Sequence, residues 1–377
     1  MFRILIVLIL TVSVLAPKHV QADMQADCKQ SADTKRRIDG CRKAIRTKAV
    51  KGAELAMAHV RLGRAYDRKG DHNRAVWHFS AALKIDKKLA TAFRGRGIAW
   101  LSLRSNSRAA TDFTRALELE PDDAGTMVNR GLAYYRGGNL KKAMKDYNQA
   151  IRLKPDDANA YHNRGLAARR QKNLVGAIRD FTKVIELTPK SASAYDQRGT
   201  TRFRQKKYDL AVKDLTRAIE LNPKRSGAYN NRGRAYHMQR KYALAVKDFD
   251  RALRLRPGNK RTTRNRGDAF NGLAWDAYKA GKLELALAHA DSSLRDRHDG
   301  AAAYDTRAHV LAALGRIDDA MADFERAIKL DGSVRVAKYQ RALKDAGHWP
   351  DKIDAKMTDA FRKALRACLT AGCRLLG

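Results

Sequence analysis

A 34-residue period constrains this chain more than any other feature. Glycine recurs at Gly63, Gly97, Gly131, Gly165, Gly199 and Gly233, each 34 residues after the last. Twelve residues after each stands alanine, at Ala75, Ala109, Ala143, Ala177, Ala211 and Ala245. Four further on comes a large apolar residue: Phe79, Phe113, Tyr147, Phe181, Leu215 and Phe249. Three more bring Ala82, Ala116, Ala150, Val184, Ala218 and Ala252. Proline closes five of the six units, at Pro121, Pro155, Pro189, Pro223 and Pro257, with Lys87 in its place in the first. Small residues let two helices approach closely, the bulky residue fills the groove between them, and proline stops the chain before the next helix. One such hairpin cannot bury its apolar face alone, so the units must stack. The period predicts an all-α solenoid of helix pairs.

These residues resemble the tetratricopeptide repeat (TPR) family across six consecutive units, spanning 56–259. The resemblance implies an αα-superhelix whose inner face is lined by the first helix (A) of each pair. Two further units follow over 260–334, after a slip of seven residues. One carries Leu273, Ala274, Ala286 and Ala290; the other carries Ala308, Ala320, Phe324 and Ala327, with Gly332 replacing the last proline. Gly267 still lies on the original grid, so the slip reads as a lengthened helix.

The ends read as caps. Residues 23–55 look like a degenerate unit with Ala44 in the last alanine position. On that register Cys41 and Cys28 take the two aromatic positions that face each other, and a 28–41 disulfide is expected. Over 335–377, Val336, Tyr339 and Leu343 suit a capping helix that Gly347 stops. Thr358 can N-cap a last helix with a stripe of Ala360, Ala364, Leu365 and Cys368, and Gly372 lets Cys373 turn back toward Cys368. Leu343, Gly347, Trp349, Ile353, Asp354, Thr358 and Ala360 also faintly resemble a small helical peptidoglycan-binding module, although Ala355 stands where that family has glycine.

Residues 1–22 have the three-part pattern of a signal peptide: Arg3, an apolar run from Ile4 to about Ala16, and Val20-Gln21-Ala22 before Asp23. A periplasmic or otherwise secreted protein is expected. The four cysteines lie only near the two ends, which suits local disulfides in an oxidising compartment. Neither pair has close CxxC spacing and no histidine cluster accompanies them in sequence, so no metal and no cofactor are expected.

With 77 Lys+Arg against 40 Asp+Glu the formal charge is +37, and loss of Arg3 and Lys18 would leave +35. Arginine precedes the grid glycine at Arg96, Arg130, Arg164, Arg198 and Arg232, and aspartate follows sixteen residues later at Asp112, Asp146, Asp180, Asp214 and Asp248. These read as ion pairs joining helix A to the second helix (B), with a second partner three residues along helix B, such as Arg115 for Asp112. Two positions before the glycine grid stand Asn129, Asn163, Gln197, Asn231 and Asn265. An amide side chain donates and accepts, which matches a peptide backbone without demanding a sequence. Five after the glycines come Arg68, Arg136, Arg170 and Arg204, which would favour acidic partners.

No GxSxG, HExxH, Walker or dinucleotide motif is present. Of the ten histidines only His72 and His78 stand near each other, at a spacing poor for one helical face. The aromatics mostly occupy core grid positions, so a specific nucleic-acid surface is not expected. The residues describe a non-enzymatic scaffold or peptide-binding adaptor of the cell envelope, with an acidic protein or extended peptide as partner. The alternative is an envelope protein held to the cell wall or an anionic surface by its C-terminal tail and general basicity.

Overall fold

The computed structural model describes residues 26–29, 33–350 and 352–373. The expected signal peptide, 1–22, lies outside the described residues. All regular structure among the described residues is helical, and none of the helices is long and apolar enough to cross a membrane. The chain divides into two compact units, one ending at Leu187 and the other beginning at Thr188.

The first unit opens with a helical turn at 26–29 and α1 (Thr34–Arg46). Four hairpins follow: α2 (Gly52–Arg68) with α3 (His72–Ile85), α4 (Ala90–Ser102) with α5 (Asn106–Leu119), α6 (Ala124–Arg136) with α7 (Leu140–Leu153), and α8 (Ala158–Arg170) with α9 (Leu174–Leu187). Grid glycines set the approach within each pair. A Cβ on Gly165 would stand 2.9 Å from the Phe181 ring, and one on Gly131 would stand 2.6 Å from Tyr147. Both rings are fully buried, beside Ala177 and Ala143. The turn from helix A to helix B needs one residue in the left-handed region. Gly70 and Gly138 supply it cheaply, whereas Arg104 and Lys172 hold it at φ 58° and 65°. Cys28 and Cys41 are joined as expected, with Cα atoms 4.5 Å apart, and the bond seals the core of Ile38, Ala44 and Val60.

The second unit contains α10 (Ala192–Arg204) with α11 (Tyr208–Leu221), α12 (Ser226–Met238) with α13 (Tyr242–Leu255), α14 (Lys260–Lys279) with α15 (Leu283–Asp296), and α16 (Ala301–Ala313) with α17 (Ile317–Asp331). Helix α14 has 20 residues where α12 has 13, so the seven-residue shift coincides with about two added turns. Gly267 packs on the end of α15, where a Cβ would meet Arg297 and Asp296. Ala274, one heptad later on the same helix, is also fully buried.

Helices α18 (Ser333–Asp345) and α19 (Asp359–Thr370) close the second unit. Tyr339, Leu343, Phe361 and Leu365 share one core with Phe324 of α17, so the segment with the wall-binding resemblance packs as part of the solenoid end. Thr358 accepts from the Phe361 amide at 3.1 Å, as an N-cap does. The apolar stripe of α19 differs from the expected one. Ala360 is exposed, and Phe361, Leu365, Cys368 and Leu369 are buried, because the larger side chains rotate the helix to take the core. Cys368 and Cys373 are bonded, their Cα atoms 5.2 Å apart.

Candidate peptide-binding groove

The grid arginines are scaffold, and they do more than the sequence shows. Arg164 reaches Asp180 in bidentate fashion, Nε to Oδ2 at 3.0 Å and Nη2 to Oδ1 at 2.7 Å. Its remaining Nη1 donates to Asn148 on helix B of the preceding repeat at 2.9 Å. Arg96 likewise joins Asp112 to Ser80, Arg130 joins Asp146 to Thr114, and Arg232 joins Asp248 to Thr216. Each guanidinium therefore ties two helices of its own hairpin and a third from its neighbour. The bidentate bond to Asp146 raises the Arg130 pKa above its ordinary value.

The aspartates are not shared with cations three residues along helix B. Arg115 pairs with Glu118, Lys183 with Glu186 and Arg217 with Glu220, on the exposed face. Asp112, Asp180 and Asp214 are buried against helix A, out of reach of that face. Where α14 lengthens, Arg266 finds Asp296 instead, 30 residues on, and also Asp250 of the preceding helix B.

The amide positions divide between the units. In the first, Asn129 and Asn163 are half-buried on α6 and α8. Neither forms a side-chain hydrogen bond among the described residues, so their donors and acceptors are open. Asn129 and Arg136, two turns apart on α6, line a cleft of about 780 Å³ with Ile98, Leu101 and Ser102 of α4. In the second unit the amides are partly spent. Asn231 Nδ2 donates to Asp196 Oδ1 at 3.2 Å and Thr200 Oγ1 at 3.1 Å, both on the preceding A helix. Asn265 Nδ2 donates to Asn230 Oδ1 at 3.0 Å. Gln197 is half-buried on α10 and has an intramolecular partner of its own.

The four further arginines are exposed. Arg136 Nη1 donates to the Leu101 carbonyl at 3.2 Å, and Arg170 Nη1 to the Tyr135 carbonyl at 2.8 Å. Each caps the C-terminal end of the preceding A helix with one nitrogen, where a cation suits the dipole, and leaves its other donors to solvent. Arg68 shares a small cleft with Arg64, Arg94 and Thr91. Burial, then Arg94, Arg68, Arg37 and Arg61, pushes the Arg64 guanidinium below its ordinary pKa. In the second unit burial, then Arg261 and Arg204, does the same to Arg234. Guanidiniums crowded in this way favour an incoming carboxylate.

Sequence reasoning missed the cross-repeat acceptors at Ser80, Thr114 and Asn148. Their signal lies sixteen residues before each grid arginine, where a hydroxyl or amide recurs. The spacing of His72 and His78 is poor for one helical face, and the two rings do have different partners. The structure places His72 Nδ1 2.7 Å from Asp67 Oδ1, and His78 Nδ1 3.0 Å from His59 Nδ1 across two helices.

Tetratricopeptide repeat profiles match residues 60–124, 158–191, 197–260 and 301–333, and a TPR repeat profile matches 131–172. Among solved structures, a tetratricopeptide repeat protein from Parabacteroides merdae is 18% identical with a TM-score of 0.54, over 67% of this chain and 98% of that one. The C-terminal part of a TPR repeat-containing protein from Cytophaga hutchinsonii is 17% identical with a TM-score of 0.56, over 66% of this chain and 98% of that one. These likenesses show the fold. Comparison with curated proteins finds no match. The fold suits protein and peptide interaction and is typical of scaffolds without catalysis. With its glycine grid, its helix pairs and these matches, the chain belongs to the tetratricopeptide repeat family.

Proposed function

We propose that this protein is a non-enzymatic adaptor that holds an extended acidic peptide along the A helices of its first unit. The observation that carries the reading is the pair of open amides at Asn129 and Asn163, with Arg136 beside the first in one cleft. An extended strand exposes alternating N–H and C=O groups, and each amide side chain can meet one of each. Arg68, Arg136 and Arg170 select acidic side chains or a free carboxylate. In the second unit Asn231 and Asn265 serve mainly to join A helices. The disulfides and the sequence of residues 1–22 support an exported protein that acts in the cell envelope.

A pull-down from envelope extract identifies the partner, and titration calorimetry with its acidic segments tests the site. Asn129→Ala with Asn163→Ala should weaken binding by about 1–3 kcal/mol, the scale of two lost hydrogen bonds, with helicity unchanged. Asn231→Ala with Asn265→Ala should weaken it less. Equal affinity in the first double variant rejects the site.

A further inference from the structure

We propose that His348, Cys368 and Cys373 form a redox-gated site for one thiophilic divalent ion of the Zn²⁺ class, created when the Cys368–Cys373 disulfide is reduced. The sequence gives no hint of it, because His348 stands 20 residues before Cys368. The fold brings one donor atom from each of the three residues within 4.8 Å of the others. No other group of three histidine, cysteine or acidic side chains among the described residues does this.

The arrangement is held by backbone. Helix α18 ends with Gly347 at φ 76°, and the His348 amide donates to the Leu343 carbonyl at 2.8 Å. Helix α19 ends with Gly372 at φ 73°, and the Cys373 amide donates to the Cys368 carbonyl at 2.9 Å. Both are Schellman caps, and in the second the two cysteines occupy the paired positions that usually make an apolar contact across the turn. Those backbone bonds remain when the sulfur–sulfur bond opens, so the thiols stay opposed and His348 stays beside them.

A dithiol supplies the reducing electrons. It transfers two electrons and two protons to the sulfurs and becomes a disulfide itself. Binding of the ion then releases both thiol protons, and the neutral imidazole contributes a third ligand. Tetrahedral zinc needs donors about 3.5–3.8 Å apart, so the two bonded sulfurs separate to that distance on reduction, while the imidazole nitrogen, now within 4.8 Å, closes by up to about 1 Å. Cys373 borders a cleft of about 760 Å³ that provides an entry path and leaves the fourth position to water. Two thiolates and an imidazole are a soft donor set, which selects against Mg²⁺ and Ca²⁺.

The test uses the full chain, reduced with a phosphine, desalted without oxygen and titrated with Co²⁺ as the spectroscopic stand-in for Zn²⁺. One equivalent should produce a thiolate-to-cobalt charge-transfer band that Zn²⁺ bleaches, and the oxidised protein should show none. His348→Ala should lower the affinity at least about tenfold. Absence of the band in fully reduced protein overturns the proposal. So does an unchanged affinity in H348A, or a band that survives Cys368→Ser with Cys373→Ser and so belongs to Cys28 and Cys41. If the double serine variant fails to fold, H348A decides alone, since His348 lies only partly buried on the rim.

Discussion

His59 and His78 meet where α2 packs on α3, their Nδ1 atoms 3.0 Å apart beneath Tyr66 and Trp77. One ring must donate to the other, which two protonated rings cannot do. Burial, then His59, Arg42 and Arg74, pushes His78 down to about 4, and burial lowers His59 as well. The unfolded chain takes up protons first, near pH 6.5, and between there and pH 4 it binds more protons than the fold does. Stability is therefore complete above about pH 6.5 and is lost as pH falls toward 4. Melting temperatures between pH 6.5 and 5 avoid most carboxylate titration, and wild type should fall more steeply there than His78→Asn. Parallel slopes would refute the assignment. None of this was legible beforehand: nineteen residues separate the rings, and the periodic pattern describes each helix face without saying which polar side chains meet across it. The glycine grid was legible, since close approach at Gly165 leaves no choice of residue.

At the scale of helices, the guanidinium bridge is the repeating unit of polar structure. Arg164 satisfies Asp180 within its hairpin and Asn148 in the neighbouring one, and Asp180 is only 4% exposed. Asp180→Ala strands a half-buried cation and should cost about 3 kcal/mol in chemical denaturation. Asn148→Ala should cost less alone and show coupling to Asp180→Ala in a double-mutant cycle, because both lean on one guanidinium. Strict additivity would show that the bridge is not shared. The intra-hairpin half was readable at sixteen residues' spacing. The cross-repeat half was not, because its acceptor changes from Ser80 to Thr114 to Asn148 and no single residue type marks it. The same applies to α14, where two added turns move the Arg266 partner from the sixteenth to the thirtieth residue.

For the whole molecule, the formal charge of +37 is what remains when all 40 acidic side chains are set against 77 Lys+Arg, so no set of internal ion pairs can remove it. The buried arginine–aspartate bridges are little screened, whereas the surplus exposed cations repel one another across solvent. Raising salt from about 10 mM to 150 mM shortens the screening length from about 30 Å to 8 Å and should raise the melting temperature measured by calorimetry. A fall would show that exposed ion pairs outweigh the repulsion. The same excess charge would draw the acidic partner proposed above toward the protein.

The sequence by itself determined the all-α repeat architecture, the hairpin cores and the two local cysteine pairs. These rest on contacts within one hairpin, where helical periodicity and residue size leave few arrangements. Only the tertiary structure decided that Asn129 and Asn163 are open while Asn231 and Asn265 are engaged, and that His348 joins Cys368 and Cys373. Those outcomes depend on how far each hairpin rotates and shifts against the next. That displacement is the sum of many small packing contacts, and no local run of residues records it.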